Sequence, residues 1–389
     1  MPIVNRVADF HRDITEWRRD LHAHPELLYD VHRTAASVAE KLKAFGCDEV
    51  VPGIGRTGVV GVIRGRKSGA NKVIGLRADM DALPIEEATG LPYKSTAPGK
   101  MHACGHDGHT AMLLGAARYL AETRNFAGTA VLIFQPAEEG GAGGKAMVED
   151  GMMERFGIEE VYGLHNMPGI PLGTFGIRQG PILAAADDFH IEIHGRGGHA
   201  AKPHNTVDPI VVATAIVQGL QSIVARTVDP LDSAVVSVTM IHIGNTHNVI
   251  AEGGKITGTA RSLKPHVRDH VERQIKALGE GIAAAYGATA DVRYHRNYPV
   301  TRNHPQQTLF AAKVAGKVAG PERVDTDIAP VMGGEDFSYM LEARPGAFIF
   351  MGNGNTSGLH SPTYDFTDEA IPIGCSYWAK LVEEAMPAA

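Results

Sequence analysis

The sequence contains only three cysteines, Cys47, Cys104 and Cys375, too few and too scattered for a disulfide framework. Cationic residues are not in excess. Thirty-seven Lys and Arg stand against 44 Asp and Glu, and the formal charge of −7 argues against nucleic acid or an anionic membrane surface as the main partner. No apolar run reads as a membrane span of roughly 20 residues. Met1 to Leu21 mixes charges and has no apolar core of a secretory signal. Together these absences predict a soluble, cytoplasmic protein of a reducing compartment. Histidine, by contrast, is abundant: 19 residues, beside 45 glycines, turn attention to metal chemistry.

At 389 residues the length favours two domains over one. In the first 180 residues helical spacing (Val7 to Leu21, Arg33 to Phe45, about Gly108 to Ala121, Lys145 to Met152) alternates with short apolar strands. The strands are Val59–Ile63, Val73–Leu76, Ala130–Phe134 and Val161–Leu164. That alternation predicts an α/β sheet covered on both faces. From Ala184 the order changes to β-α-β-β-α-β, the split unit of ferredoxin-like folds. Its strands are Phe189–Ile193, Ala234–Ile243, Lys255–Ser262 and Asp291–Tyr294. Its helices run from Asp208-Pro209 to about Ala225 and from His266 to Tyr286. Helix and strand patterns then resume at Gln307–Val318, Ala347–Met351 and Ile371–Ala385. The expectation is an α/β domain made of residues 1–183 and 297–389, with an α+β domain of residues 184–296 inserted in it.

Open α/β sheets bind ligands beyond the carboxyl ends of their strands. Here Val73–Leu76 runs into Arg77-Ala-Asp-Met-Asp81, Ala130–Phe134 into Gln135-Pro-Ala-Glu-Glu-Gly140, and Val161–Leu164 into His165-Asn166. Ala347–Met351 leads through a Gly/Asn loop to His360. Cys104 and His106 lie two apart in a Gly-containing loop, a spacing that lets thiolate and imidazole turn toward one ion of the Zn²⁺, Mn²⁺, Co²⁺ or Ni²⁺ type. Glu138-Glu139 on an extended segment would diverge, one carboxylate toward a metal and its neighbour toward a substrate. Gly140-Gly141 would let backbone approach a ligand closely. Other motifs fail: the run Gly140–Lys145 lacks the earlier glycine and the Ser/Thr of a phosphate loop, and no HExxH helix or G-x-S-x-G elbow occurs. His11, His22, His24, His32, His266, His270, His295 and His304 are expected at the surface. His109 is expected to pack or to orient a ligand. Glu335 and Asp336 are expected to do no more than stabilise a helix amino terminus.

As a set, Met101-His-Ala-Cys-Gly-His-Asp-Gly-His109, Gln135-Pro-Ala-Glu-Glu-Gly-Gly141, Gly163-Leu-His-Asn166, Gly195-Arg-Gly-Gly-His-Ala-Ala-Lys-Pro-His204, Met332-Gly-Gly-Glu-Asp-Phe337 and Leu359-His-Ser-Pro362 resemble the M20 metallopeptidase family. Within it they are most similar to the amidohydrolases that include hippurate hydrolase and N-acyl-amino-acid aminohydrolases. The resemblance runs in order along nearly the whole chain. It implies a zinc-exopeptidase-like catalytic domain with an inserted lid and dimerisation domain, and a homodimer or homotetramer. It also implies two divalent ions held by Cys104, His106, Glu139, His165 and His360. Glu138 would be the general base and Asp81 an orienting group, with Asp79-Met80-Asp81 standing where the wider family has His-x-Asp. His199 would stabilise the oxyanion from a partner subunit, and Asn248 and Arg261 would bind the carboxylate of the product.

The implied activity is hydrolysis of a small-molecule N-acyl amino acid to a carboxylic acid and an amino acid. Alternatives are an N-acetyl-diaminopimelate deacetylase, a dipeptidase, or a catalytically silent metal-binding sensor. With only 6% aromatic residues, no cluster marks an acyl pocket.

Overall fold

The computed structural model describes residues 4–69 and 71–388. The chain folds into two compact units. One comprises Met1–Ile182, Arg302–Ala329 and Asp336–Ala389; the other comprises Leu183–Thr301 and Pro330–Glu335.

In the first unit the strands β1 (Glu49–Ile54), β2 (Gly58–Arg64), β3 (Lys72–Asp79), β4 (Gly128–Gln135) and β5 (Glu160–Met167) belong to one eight-stranded sheet. The order is β1-β2-β4-β3-β5, continued by Gly346–Gly352, Phe175–Gly176 and Val324–Asp325. Its centre is parallel: β3 pairs with β4 (Leu76 opposite Leu132) and with β5 (Leu76 opposite Tyr162), and β5 with Gly346–Gly352 (Leu164 opposite Ile349). These strands are almost continuously buried, which explains why they read as apolar runs rather than alternating ones. Parallel pairing brings the carboxyl ends of β3, β4, β5 and Gly346–Gly352 to one edge, so Asp79 lies opposite Gln135 and His165 opposite Phe350.

The helices α1 (Asn5–Ala23) and α2 (His32–Ala44) precede the sheet, and α3 (His106–Thr123) joins β3 to β4. From His106 to Ala117 every residue of α3 is buried, as expected of a helix packed on all sides. It starts two residues earlier than its apolar spacing predicts. Gly105, at φ 87°, turns the chain immediately before it, so His106 is the first helical residue and not part of a loop. The helix expected over Lys145 to Met152 is two pieces, Gly143–Glu149 and Met152–Arg155, separated where Gly151 takes φ 78°.

The second unit is a four-stranded antiparallel sheet in the order Ala234–Ile243, Gly253–Ser262, Ala185–His194, Thr289–Tyr298, with helices Pro209–Ser222 and Pro265–Ala285. Strand order and connections are those of the split β-α-β unit. Phe189, Ile191 and Ile193 alternate into its core against Val212, Ile216, Leu220, Val271 and Ile275. Asp208 caps the first helix by accepting from the Ile210 N–H at 2.8 Å. Pro330–Glu335 joins this unit through a bridge between Leu183 and Val331 and through Ala184 N donating to Gly333 O at 2.9 Å. One reading of composition needs correction: Pro209–Thr227, 19 residues of mean hydropathy 1.4, is long and apolar enough to cross a membrane by length and composition. Its buried residues Val212, Ala213, Ile216, Leu220 and Ile223 pack into the second unit's core.

The turn after β4 has almost no room. A Cβ on Gly143 would stand 1.7 Å from the Pro136 carbonyl oxygen, a backbone atom that cannot rotate away. Gly143→Ala is expected to cost ~3 kcal/mol, well above the roughly 1 kcal/mol that alanine gains over glycine in a helix. Chemical denaturation of the variant checks this, and unchanged stability would mean that the turn is not held as described.

Candidate active site

The carboxyl edge of the parallel strands gathers side chains from five segments of the first unit. Strand β3 ends at Asp79 and continues to Asp81, β5 carries His165 and Asn166, and the turn after β4 carries Glu138 and Glu139. Cys104 and His106 flank the Gly105 turn. His360 comes from the loop after Gly346–Gly352, held at φ 63° with its N–H donated to Ala103 O at 2.8 Å. A non-glycine residue in that region is strained and persists only where its surroundings fix it.

The carboxylate of Asp81 organises the cluster. It accepts the backbone N–H of Glu138 at 2.9 Å and of Glu139 at 3.1 Å, while the Asp81 main-chain carbonyl accepts from His106 Nδ1 at 2.8 Å. Glu138 and Glu139 therefore sit on a turn closed by Gly140 N donating to Glu138 O at 2.7 Å, and not on the extended segment expected from sequence. Ala137 (φ 54°) and Gly140 (φ 92°) bend it, so glycine at 140 serves the backbone angle.

Ligand-type atoms of Cys104, His106 and Glu139 lie within 4.8 Å of one another. Cys104 Sγ is 3.4 Å from His165 Nε2, and His360 Nε2 is 3.3 Å from Glu139 Oε1. The five side chains proposed from sequence as ligands are thus brought together. Both buried imidazoles are oriented from behind: His106 Nδ1 donates to Asp81 O, and His165 Nδ1 to Asn166 O at 2.6 Å. Each ring is left to present Nε2 to the cluster, the arrangement that metal-ligating histidines adopt.

Electrostatics points the same way. Burial raises the Cys104 thiol, and the neighbouring Glu139 adds to the shift. Burial opposes charge on His106, yet Asp79 and Cys104 outweigh it and lift the imidazole well above its ordinary value. Hydrogen bonding to Cys104 and Glu139 lifts His360 to about 10. The surroundings of His106 and His360 thus favour positive charge at this point. A cation between the donors would supply the same positive charge. His106 Nε2 is buried without a hydrogen-bond partner, 3.6 Å from the Asp79 carboxylate. One thiol, three imidazoles and a carboxylate suit a borderline divalent ion far better than Mg²⁺ or Ca²⁺. The residues fit the implied ions.

Sequence reasoning expected His109 to pack or to orient a ligand but missed its partners Asp79 and Asn166 and, beyond Asn166, Tyr364. Asp79 Oδ1 accepts from His109 Nδ1 at 2.6 Å, and His109 Nε2 accepts the Asn166 N–H at 2.9 Å. Asn166 Nδ2 donates to Cys104 O at 2.7 Å, and Tyr364 OH to Asn166 Oδ1 at 2.8 Å. These hydrogen bonds fix Asn166, next to His165, and the main-chain carbonyl of Cys104. The spacing of His106 and His109, one helical turn, was the available signal. Asp336 is also more than a dipole partner: it accepts from Gln135 Nε2 (2.7 Å), Arg77 (3.1 Å) and the Gly144 N–H (2.7 Å), at the start of a helix other than the one that follows it in sequence. His22 is buried, contrary to its expected surface position, with Nδ1 at 2.8 Å from Asp107 and Nε2 at 3.4 Å from Glu87. With buried Arg18 it anchors Asp107, the residue after His106. His102 is buried too, and its ring turns toward His22 (centroids 6.4 Å apart).

The remaining candidates belong to the second unit. His199 is exposed on a short ribbon formed by Gly198–His199 and Val249–Ile250, and its Nδ1 accepts the Ala201 N–H at 3.0 Å. Asn248 is exposed at the start of the facing strand, where its carbonyl accepts from Ala200 N at 3.1 Å. Arg261 is half-buried, with Nη1 donated to Thr259 Oγ1 and to Ala260 O (3.0 Å).

Comparison with known proteins adds three findings. The family model described as peptidase family M20/M25/M40 matches residues 75–384. A hippurate hydrolase of Campylobacter jejuni is 42% identical over 381 residues, covering 98% of each chain, and an N-acetylcysteine deacetylase of Bacillus subtilis is 40% identical over 374 residues, covering 96% of each. Among solved structures, the YXEP protein of Bacillus subtilis, described as a dinuclear metal binding peptidase, aligns with a TM-score of 0.84 at 36% identity, covering 98% of this chain and all of the other.

The His22 environment gives a pH prediction. Burial disfavours its charge, but Asp107 and Glu87 outweigh burial and raise its pKa from 6.5 to about 9. A pKa raised on folding stabilises fully below 6.5, and that stabilisation disappears as pH rises through 9. Wild type should exceed His22→Gln by up to about 3 kcal/mol at pH 6, with the gap narrowing toward pH 9.5 in urea denaturation. A gap independent of pH would mean that His22 is neutral in the fold.

Proposed function

The chain belongs to peptidase family M20/M25/M40, and on that premise we propose that it hydrolyses the amide bond of N-acyl amino acids, releasing a carboxylic acid and an amino acid. It is a metal-dependent amidohydrolase that uses two divalent ions. In this reading Cys104, His106, Glu139, His165 and His360 hold the ions, which are Zn²⁺, Mn²⁺, Co²⁺ or Ni²⁺. When bound, the ions make a water acidic enough to deprotonate near neutral pH and polarise the acyl carbonyl.

The observation that carries the reading is the placement of Glu138. It is buried, adjacent to the ligand-type Glu139, and its backbone N–H is pinned by Asp81. A base of this kind has no use in a binding module. Glu138 takes the proton of the attacking water and returns it to the departing nitrogen, so the amine leaves neutral as the C–N bond breaks. Asp81 keeps Glu138 and His106 in register throughout. His199 adds a donor for the developing oxyanion: its Nδ1 is an acceptor, so the ring proton is on Nε2. Asn248 and the guanidinium nitrogens of Arg261 other than Nη1 bind the carboxylate of the amino-acid portion.

His199 is assigned to the site of a second copy, in a homodimer or homotetramer. Support comes from the second unit's exposed apolar residues Ile210, Val211, Val224, Met240, Ile241 and Val249. A thiol ligand requires reduced Cys104, which favours a reducing, cytoplasmic compartment.

Chelation is expected to abolish amine release, and re-addition of one of the four ions to restore it. Glu138→Gln should keep both ions and lose about 10³-fold in kcat. The panel is hippurate, N-acetyl-methionine, indole-acetyl-alanine, N-acetyl-diaminopimelate and an unblocked dipeptide. Release from the dipeptide alone would make the chain a peptidase. Full activity after chelation, or silence with ions bound, would sink the proposal.

A further inference from the structure

The outward face of the second unit's sheet carries a donor cluster that amide hydrolysis does not use. In Ala185–His194 the side chains alternate, so Asp188 and His190 share the face opposite the core residues Phe189 and Ile191. Antiparallel register places His295 of Thr289–Tyr298 directly across from Asp188. Asp188 Oδ2 is 2.9 Å from His190 Nε2 and 3.2 Å from His295 Nδ1, and ligand-type atoms of all three residues fall within 4.8 Å of one another.

We propose that Asp188, His190 and His295 form a surface site for one borderline divalent ion, such as Zn²⁺, Ni²⁺ or Cu²⁺, separate from the buried pair. Two imidazoles and a carboxylate with open positions are a recognised transition-metal set. An ion with bonds of about 2.0–2.2 Å holds neighbouring donors roughly 3.3 Å apart, close to the 2.9 and 3.2 Å that separate Asp188 from His190 and from His295. The second observation is how the outward atoms are held. His190 Nδ1 meets Thr257 Oγ1 at 3.2 Å on the adjoining strand, and Asp188 Oδ1 accepts from Asn297 Nδ2 at 2.5 Å. The outward atoms of His190 and Asp188 are tied back, which leaves His190 Nε2 and Asp188 Oδ2 pointing at the shared centre. The three side chains remain 34–55% exposed, so an ion can enter and solvent can complete its coordination. Arg293 lies directly across from His190 and keeps this site weaker than the buried centre.

The test uses holoprotein whose buried positions are filled, equilibrated with Zn²⁺ in micromolar excess and counted by elemental analysis. Wild type should hold one more ion per chain than the Asp188→Asn/His190→Gln/His295→Gln variant, with equal amidohydrolase rates. The difference between the two proteins is the readout, so it stands whatever number the buried centre holds. Added Cu²⁺ should give an electron-paramagnetic signal with nitrogen splitting from two imidazoles in wild type, and His295→Gln alone should remove one nitrogen. Equal ion counts, or an identical copper signal in the variants, would overturn the site.

Discussion

Carboxylates and a thiol gathered in one buried cluster need compensating positive charge if they are to ionise, and this need organises the first unit. Asp79, Asp81, Glu139 and Cys104 crowd the carboxyl edge of the sheet, where desolvation penalises every ionised group. The surroundings of His106 and His360 favour positive charge on both rings, and two divalent ions meet the need in the working enzyme. Behind this layer Arg77 spans Asp79, Gln135 and Asp336, while Arg18 and His22 hold Asp107. The cations behind the cluster are locked in hydrogen bonds and ion pairs, whereas within it His106 Nε2 has no hydrogen-bond partner.

The fold delivers this arrangement through parallel pairing. Four neighbouring strands end at one edge, so residues far apart in sequence need only short turns to meet. The turns are where conformational cost concentrates. Gly105, Ala137, Gly140, Ala142 and His360 all take positive φ beside functional residues. Such backbone is tolerated because Asp81, Asn166 and the Ala103 carbonyl hold it from behind.

Much of this was legible in the sequence. The strands of the sheet are long buried apolar runs, and the inserted unit shows plain alternation at Phe189, Ile191 and Ile193, so both fold types follow from periodicity. The convergence of the segments that carry Cys104, His106, Glu138-Glu139, His165 and His360 follows from strand ends plus spacing, while the choice of five ligands among them comes from the family resemblance. Other features could not be read that way. Burial of His22 depends on acids at positions 87 and 107, and a helical face does not announce that its polar residue has buried partners. Asp336 caps a helix almost 200 residues earlier, a contact that no local pattern encodes. The two-residue error at the start of α3 arose because periodicity marks the apolar stripe, whereas the helix begins at the Gly105 turn.

X-ray absorption at the metal edge, on protein loaded with two equivalents of Zn²⁺, tests most directly whether the buried cluster is the metal centre. A sulfur shell near ~2.3 Å beside nitrogen and oxygen is expected, and Cys104→Ser should remove it while Cys47→Ser leaves it unchanged. A spectrum with only nitrogen and oxygen neighbours, or one unaltered in Cys104→Ser, would contradict the assignment of this cluster as the catalytic centre.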